Sequence, residues 1–95
     1  MKNPKLLKEL RKQPCKACGK RNDIDVHHVK SRGSGGGDEE WNLIPLCRNC
    51  HVKIHQYGIS KFISKYPNAG EYLISRGWEY DEVIGKWVCQ INMRV

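Results

Sequence analysis

Four of the chain's five cysteines form two Cys-x-x-Cys pairs, Cys15 with Cys18 and Cys47 with Cys50. Two intervening residues let both thiolates of a pair reach one tetrahedral ion from a single turn, and two such pairs complete an all-thiolate shell. A closed shell leaves no position for a substrate, so the ion expected there is one structural Zn2+. The competing reading is two unrelated or redox-active pairs. It is disfavoured because a redox Cys-x-x-Cys rarely comes in duplicate in so short a chain. Cys89 stands apart and reads as an ordinary core residue rather than a functional thiol. The four histidines are His27, His28, His51 and His55, all within or directly after the segment between the cysteine pairs. Imidazole can ligate a metal or move a proton near neutral pH. On the plainer view these are surface residues, or spare zinc ligands exchanging with a cysteine.

The elements that must position these groups argue against the plainer view. Ile24–Val29 is rich in β-branched residues and reads as a strand carrying His27 and His28. Trp41–Leu46 reads as a second strand carrying Asn42, with Pro45 confined to its edge or end. The second cysteine pair leads into a helix through about Tyr57, where a spacing of four puts His51 and His55 on one face. Three elements tied by one ion would thus direct polar groups into one small space. Between the strands, Ser31–Asp38 carries Gly33, Gly35, Gly36 and Gly37, the composition of a flexible loop that could settle against a backbone on binding. Residues Met1–Gln13 read as a short basic helix or a disordered arm ended by Pro14. After Gly58, helical spacing recurs over Ile59–Tyr66, Pro67-Asn68 breaks it, and Ala69–Arg76 follows as another helix. Trp78–Asp81 and Lys86–Gln90 alternate like hairpin arms with Gly85 in the turn.

Cys15-Lys-Ala-Cys18, Asp25-Val-His-His28, Trp41-Asn-Leu-Ile44 and Leu46-Cys-Arg-Asn-Cys-His51, with His55 beyond, occur in this order. Together they resemble the HNH nucleases, also called the ββα-metal fold, over roughly Cys15–Tyr57. The resemblance implies a zinc-knuckled ββα-metal core; with the C-terminal helices and β-hairpin read from spacing after Gly58, the expected fold is α+β. It implies that His28 is the general base, with Asn42 holding its ring, and that His27 and His51 ligate a catalytic divalent ion such as Mg2+ or Mn2+. His55 matches a third histidine that only some members use. Asp25 has ligand chemistry too, but the family pattern places the ligand directly before the base. The chemistry is coherent: phosphodiester hydrolysis needs a proton acceptor for water and charge relief at phosphate oxygens. One geometric condition follows. Adjacent strand residues face opposite ways, so His27 and His28 can serve one site only if the strand ends, twists or straddles the phosphate there.

The chain has 95 residues and a net charge of +7, which suits an anionic partner. Lys30, Arg32 and Arg48 flank the expected centre and are candidate phosphate contacts, in which case the partner is DNA, double-stranded by expectation, cut by nicking. Trp78, Tyr80 and Trp87 read as packing residues rather than base-stacking ones. The expected organisation is a basic arm over 1–14, the metal core over 15–58, and a helical and hairpin extension packed on it over 59–95. No signal-peptide pattern and no membrane-length apolar run is visible, so a reducing cytoplasm is the expected setting, in a bacterial or phage-infected cell. Stand-alone chains of this kind resemble HNH proteins of phages and mobile elements. The rival from another class is a non-catalytic zinc-ribbon module that binds nucleic acid or a protein, which would have no need of His28, Asn42 and His51. RNA as substrate is a third reading.

Overall fold

The computed structural model describes residues 2–31, 33 and 35–89. The first helix, α1 (Pro4–Leu10), starts where Asn3 accepts a hydrogen bond from the Leu6 N–H, with Pro4 at the first helical position. Both features favour helix initiation. Leu10 is buried, so the basic arm is seated rather than loose. The knuckle at Cys15–Gly19 follows, closed by the Gly19 N–H on the Cys15 carbonyl.

β1 (Ile24–His28) pairs antiparallel with β2 (Leu43–Cys47), Val26 opposite Pro45 and His28 opposite Leu43. All five residues of β2 are buried. Pro45 lies in the middle of this strand, a position open to proline because each strand of a two-stranded sheet is an edge. Its carbonyl accepts from the Lys16 N–H and so ties the first knuckle to the sheet. Trp41 and Asn42, expected on the second strand, lie instead in a 3-10 turn over Glu40–Asn42 that delivers the chain into β2.

Helix α2 (Arg48–Tyr57) begins directly where β2 ends and buries Cys50 and Ile54 against the sheet. Gly58, at φ 82°, stops it in a conformation that L side chains rarely adopt. α3 (Ile59–Lys65) and α4 (Pro67–Ser75) follow; Pro67 opens α4 at its first position instead of standing outside it. β3 (Trp78–Asp81) and β4 (Lys86–Cys89) form the hairpin, while the expected end of its second arm at Gln90 lies outside the described residues. Phe62, Leu73, Trp78 and Cys89 join Cys15, Cys47, Cys50, Ile44 and Leu46 in one buried cluster. Completely burying a side chain such as Phe62 contributes roughly 1.5–3 kcal/mol. The Trp78 indole N–H also donates to the Trp41 carbonyl at 2.6 Å, fastening the hairpin to the turn before β2.

The glycine-rich loop is the clearest departure from expectation. Gly36, Gly37 and Asp38 are buried. The Asn42 side chain is fully buried and holds the loop from inside. Its Oδ1 accepts from the Lys30 N–H at 2.7 Å, and its Nδ2 donates to the Lys30 and Gly37 carbonyls at 2.9 and 3.0 Å. A Cβ on Gly36 would overlap the Lys30 carbonyl oxygen and lie 2.8 Å from Asn42 Nδ2. Glycine is therefore needed at position 36 for close packing, not for mobility. Gly36→Ala should cost at least about 2 kcal/mol, as overpacking against backbone typically does. A denaturant titration beside Gly33→Ala checks this, since nothing lies near a Cβ at Gly33; equal midpoints would contradict it.

Candidate metal centres and active site

Two donor clusters flank α2. In the first, the sulfurs of Cys15, Cys18, Cys47 and Cys50 all lie within 4.8 Å of one another. Cys47 ends β2 and Cys50 sits in the first turn of α2, so the sheet-to-helix junction supplies one pair and the N-terminal knuckle the other. Cys15, Cys47 and Cys50 are buried, and Cys18 is exposed. Their acidities diverge. Burial disfavours charge on Cys15, but backbone hydrogen bonds from Cys18, Cys47 and Ala17 outweigh it and bring that thiol down to about 7. Burial, the Cys47 thiol and the charge on Cys15 push Cys50 strongly up. The Cys15 sulfur thus takes negative charge readily while Cys18 and Cys50 resist it, a conflict that a bound cation would remove. The cluster fits a zinc knuckle.

In the second cluster, one ligand atom from each of His27, His51 and His55 falls within the same 4.8 Å span. His27 comes from β1 and is 9% exposed; the other two come from one face of α2, one turn apart. The Nε2 atoms of His51 and His55 are 3.2 Å apart, and the His27 ring meets both rings at centroid distances of 5.1 and 5.0 Å. Burial, and then the neighbouring His51, His55 and His28, push the His27 pKa down to about 3. It is neutral at pH 7, as a ligand must be. Asp25 stands behind the cluster, its Oδ2 3.2 Å from His51 Nδ1. Desolvation opposes ionisation there, but the bonds from His51 and Arg48 prevail and hold the Asp25 carboxyl below its ordinary range. A carboxylate accepting from Nδ1–H leaves the Nε2 lone pair facing the cluster. The donor set, tautomer and spacing fit one divalent ion.

His28 is not in this set. Its Nε2 lies 2.7 Å from Oδ1 of Asp38, whose side chain is 1% exposed. Even so, His27 and His28 border one cleft of about 320 Å³, together with Ser31 and His55. β1 ends at His28, which meets the condition for two adjacent strand residues to reach one site.

Other expected contacts are differently placed. The Asn42 amide is engaged with Lys30 and Gly37, so the partner observed for the His28 ring is Asp38. The Arg48 guanidinium is 3.5 Å from Asp25 with its side chain 71% exposed, a pair of small energetic weight that leaves it accessible. Lys30 has its backbone pinned beside the cleft, and Arg32 lies outside the described residues. Asp38 escapes a motif reading because it belongs to no spacing pattern; only the folded loop brings it to His28.

The HNH endonuclease family model matches residues 15–57. Over 50 residues the chain is 42% identical to the type IV methyl-directed restriction enzyme EcoKMcrA of Escherichia coli (strain K12), covering 43% of this chain and 18% of that protein. Over 70 residues it is 30% identical to the putative COX1/OXI3 intron 1 protein of Saccharomyces cerevisiae (strain ATCC 204508 / S288c), covering 61% of this chain and 8% of that one. The chain therefore spans less than a fifth of the length of these curated relatives. The matched segment contains both donor clusters, His28 and Asp38, and supports a nuclease or nucleic-acid-binding role. No helix among the described residues is long and apolar enough to cross a membrane.

The two clusters should separate cleanly under mutation. Cys47→Ser should lose the tightly bound metal and the cooperative thermal transition, because the binding free energy of such a site is folding free energy, roughly 10 kcal/mol or more for zinc. His51→Ala should keep both. Metal analysis beside a circular-dichroism melt checks this; a well-folded, metal-free Cys47→Ser would contradict it.

Proposed function

We propose that this chain, matched to HNH endonucleases over residues 15–57, is a metal-dependent endonuclease that hydrolyses phosphodiester bonds in double-stranded DNA, nicking one strand at a time. The observation that carries the reading is the pairing of a three-histidine donor cluster with a fourth histidine outside it, where His27 and His55 of the cluster and His28 border one cleft. A zinc-ribbon binding module would need the four cysteines alone.

On this reading Cys15, Cys18, Cys47 and Cys50 hold one structural Zn2+. His27, His51 and His55 hold the catalytic divalent ion and leave coordination positions open. When bound, that ion relieves charge on the phosphoryl oxygens and stabilises the leaving oxygen. Three imidazoles without a carboxylate favour a first-row transition ion over Mg2+. His28 takes the proton from the attacking water. Lys30, Arg32 and Arg48 bind phosphates and orient the strand. Asp25 keeps His51 in its ligating tautomer. The arm over 1–14 adds sequence-independent affinity, and the segment over 59–89 braces the core.

His28→Ala should lower plasmid nicking in Mn2+ by about 10²–10⁴-fold, the usual contribution of a general base. Bound metal, thermal stability and DNA affinity should stay near wild type. Rates equal to wild type at matched DNA occupancy would remove His28 and shift the balance to the binding-module reading. Cleavage of RNA in preference to DNA would revise the substrate.

A further inference from the structure

We propose that Asp38 is a positioning residue that fixes the orientation and tautomer of His28, and that Asn42 acts on His28 through Asp38. The proposal rests on the reading of His28 as the base.

The two oxygens of Asp38 have different tasks. Oδ1 lies 2.7 Å from His28 Nε2. Oδ2 accepts from the Asn3 backbone N–H at 2.8 Å. Asp38 is 3% exposed, and a carboxylate so far from solvent is costly unless it is hydrogen-bonded. An ionised carboxylate can only accept, so the neutral His28 ring must place its proton on Nε2. Nδ1 then carries the lone pair. Without that acceptor the ring can take either tautomer and turn about its χ angles, and only part of the population would present a basic nitrogen to the water.

The loop holds Asp38 in place through groups remote from the reacting atoms. Asn42 binds the Gly37 carbonyl directly before Asp38 and both backbone groups of Lys30 just after His28. The Gly37 N–H donates to the Glu39 carboxylate at 3.0 Å, bracing the other side. The amide therefore sets the distance between the strand carrying His28 and the loop carrying Asp38. Asn3, at the start of α1, occupies the second oxygen and keeps the carboxylate from rotating away.

The test uses the full metal-loaded chain with wild type, Asp38→Ala, Asp38→Asn and His28→Ala. Long-range ¹H–¹⁵N correlation spectra of the imidazoles report tautomers directly. Single-turnover nicking separates the rate at saturating protein from the half-saturating concentration. Wild type should show His28 protonated at Nε2. Asp38→Ala should mix the tautomers and lower the saturated rate by about 10–100-fold, the usual effect of losing such an outer hydrogen-bond partner. Its half-saturating concentration should be unchanged. Asp38→Asn keeps one acceptor oxygen and should retain more of the rate; if the alanine variant does not fold, the isosteric amide variant still has to show a lowered rate. A single unchanged tautomer with a wild-type saturated rate in either foldable variant overturns the proposal, while a slow His28→Ala beside it would leave the base assignment standing. Wild-type rates in His28→Ala would bring down both.

Discussion

Four sulfur atoms converge where β2 turns into α2, and the rest of the site depends on that junction. Cys47 and Cys50 straddle it, while Cys15 and Cys18 approach from the N-terminal knuckle. Thiolates packed this closely repel one another, and the opposed shifts of Cys15 and Cys50 show the conflict. A shared cation would turn the repulsion into a clamp. Such a clamp would fix the angle at which α2 leaves the sheet. That angle decides whether His51 and His55 face His27 on β1. A chain of this size has a small core, with Phe62, Leu73 and Trp78 closing it from the C-terminal side, so a metal is a fitting source of rigidity.

Strand alternation then divides the labour. Adjacent residues on β1 leave the strand on different sides. His27 meets the two imidazoles of α2, and His28 meets the loop carboxylate of Asp38. Because β1 ends at His28, both still border one cleft. Metal binding and proton transfer can thus be neighbours without sharing ligands. The same arrangement gives two of these histidines a carboxylate partner each: Asp25 for His51 and Asp38 for His28.

Much of this was legible because short-range patterns record it. Cysteine spacing marks a metal shell, β-branched residues mark the strand, and an i, i+4 histidine pair marks a helix face. Positions set by tertiary packing were not. Four glycines read as flexibility, yet Gly36 is small because Lys30 and Asn42 press against it. Asn42 was expected to touch the His28 ring; instead its amide engages backbone, something a residue identity alone does not disclose. Asp38 has no motif around it, and its contact with His28 crosses a loop whose path the spacing does not encode. Pro67 reads as a break between helices because proline interrupts a helix interior, whereas here it occupies the first turn, where its missing N–H costs nothing.

Two ions should occupy two separate sites, with His27 on a metal and His28 off it. Anomalous diffraction from crystals grown with Mn2+, recorded at the zinc and manganese edges, tests it most directly. A zinc peak is expected among the four sulfurs and a distinct manganese peak among His27, His51 and His55, with His28 uncoordinated and in contact with Asp38. An ion bound to His28 in place of His27, or no ion among the three histidines, would contradict it.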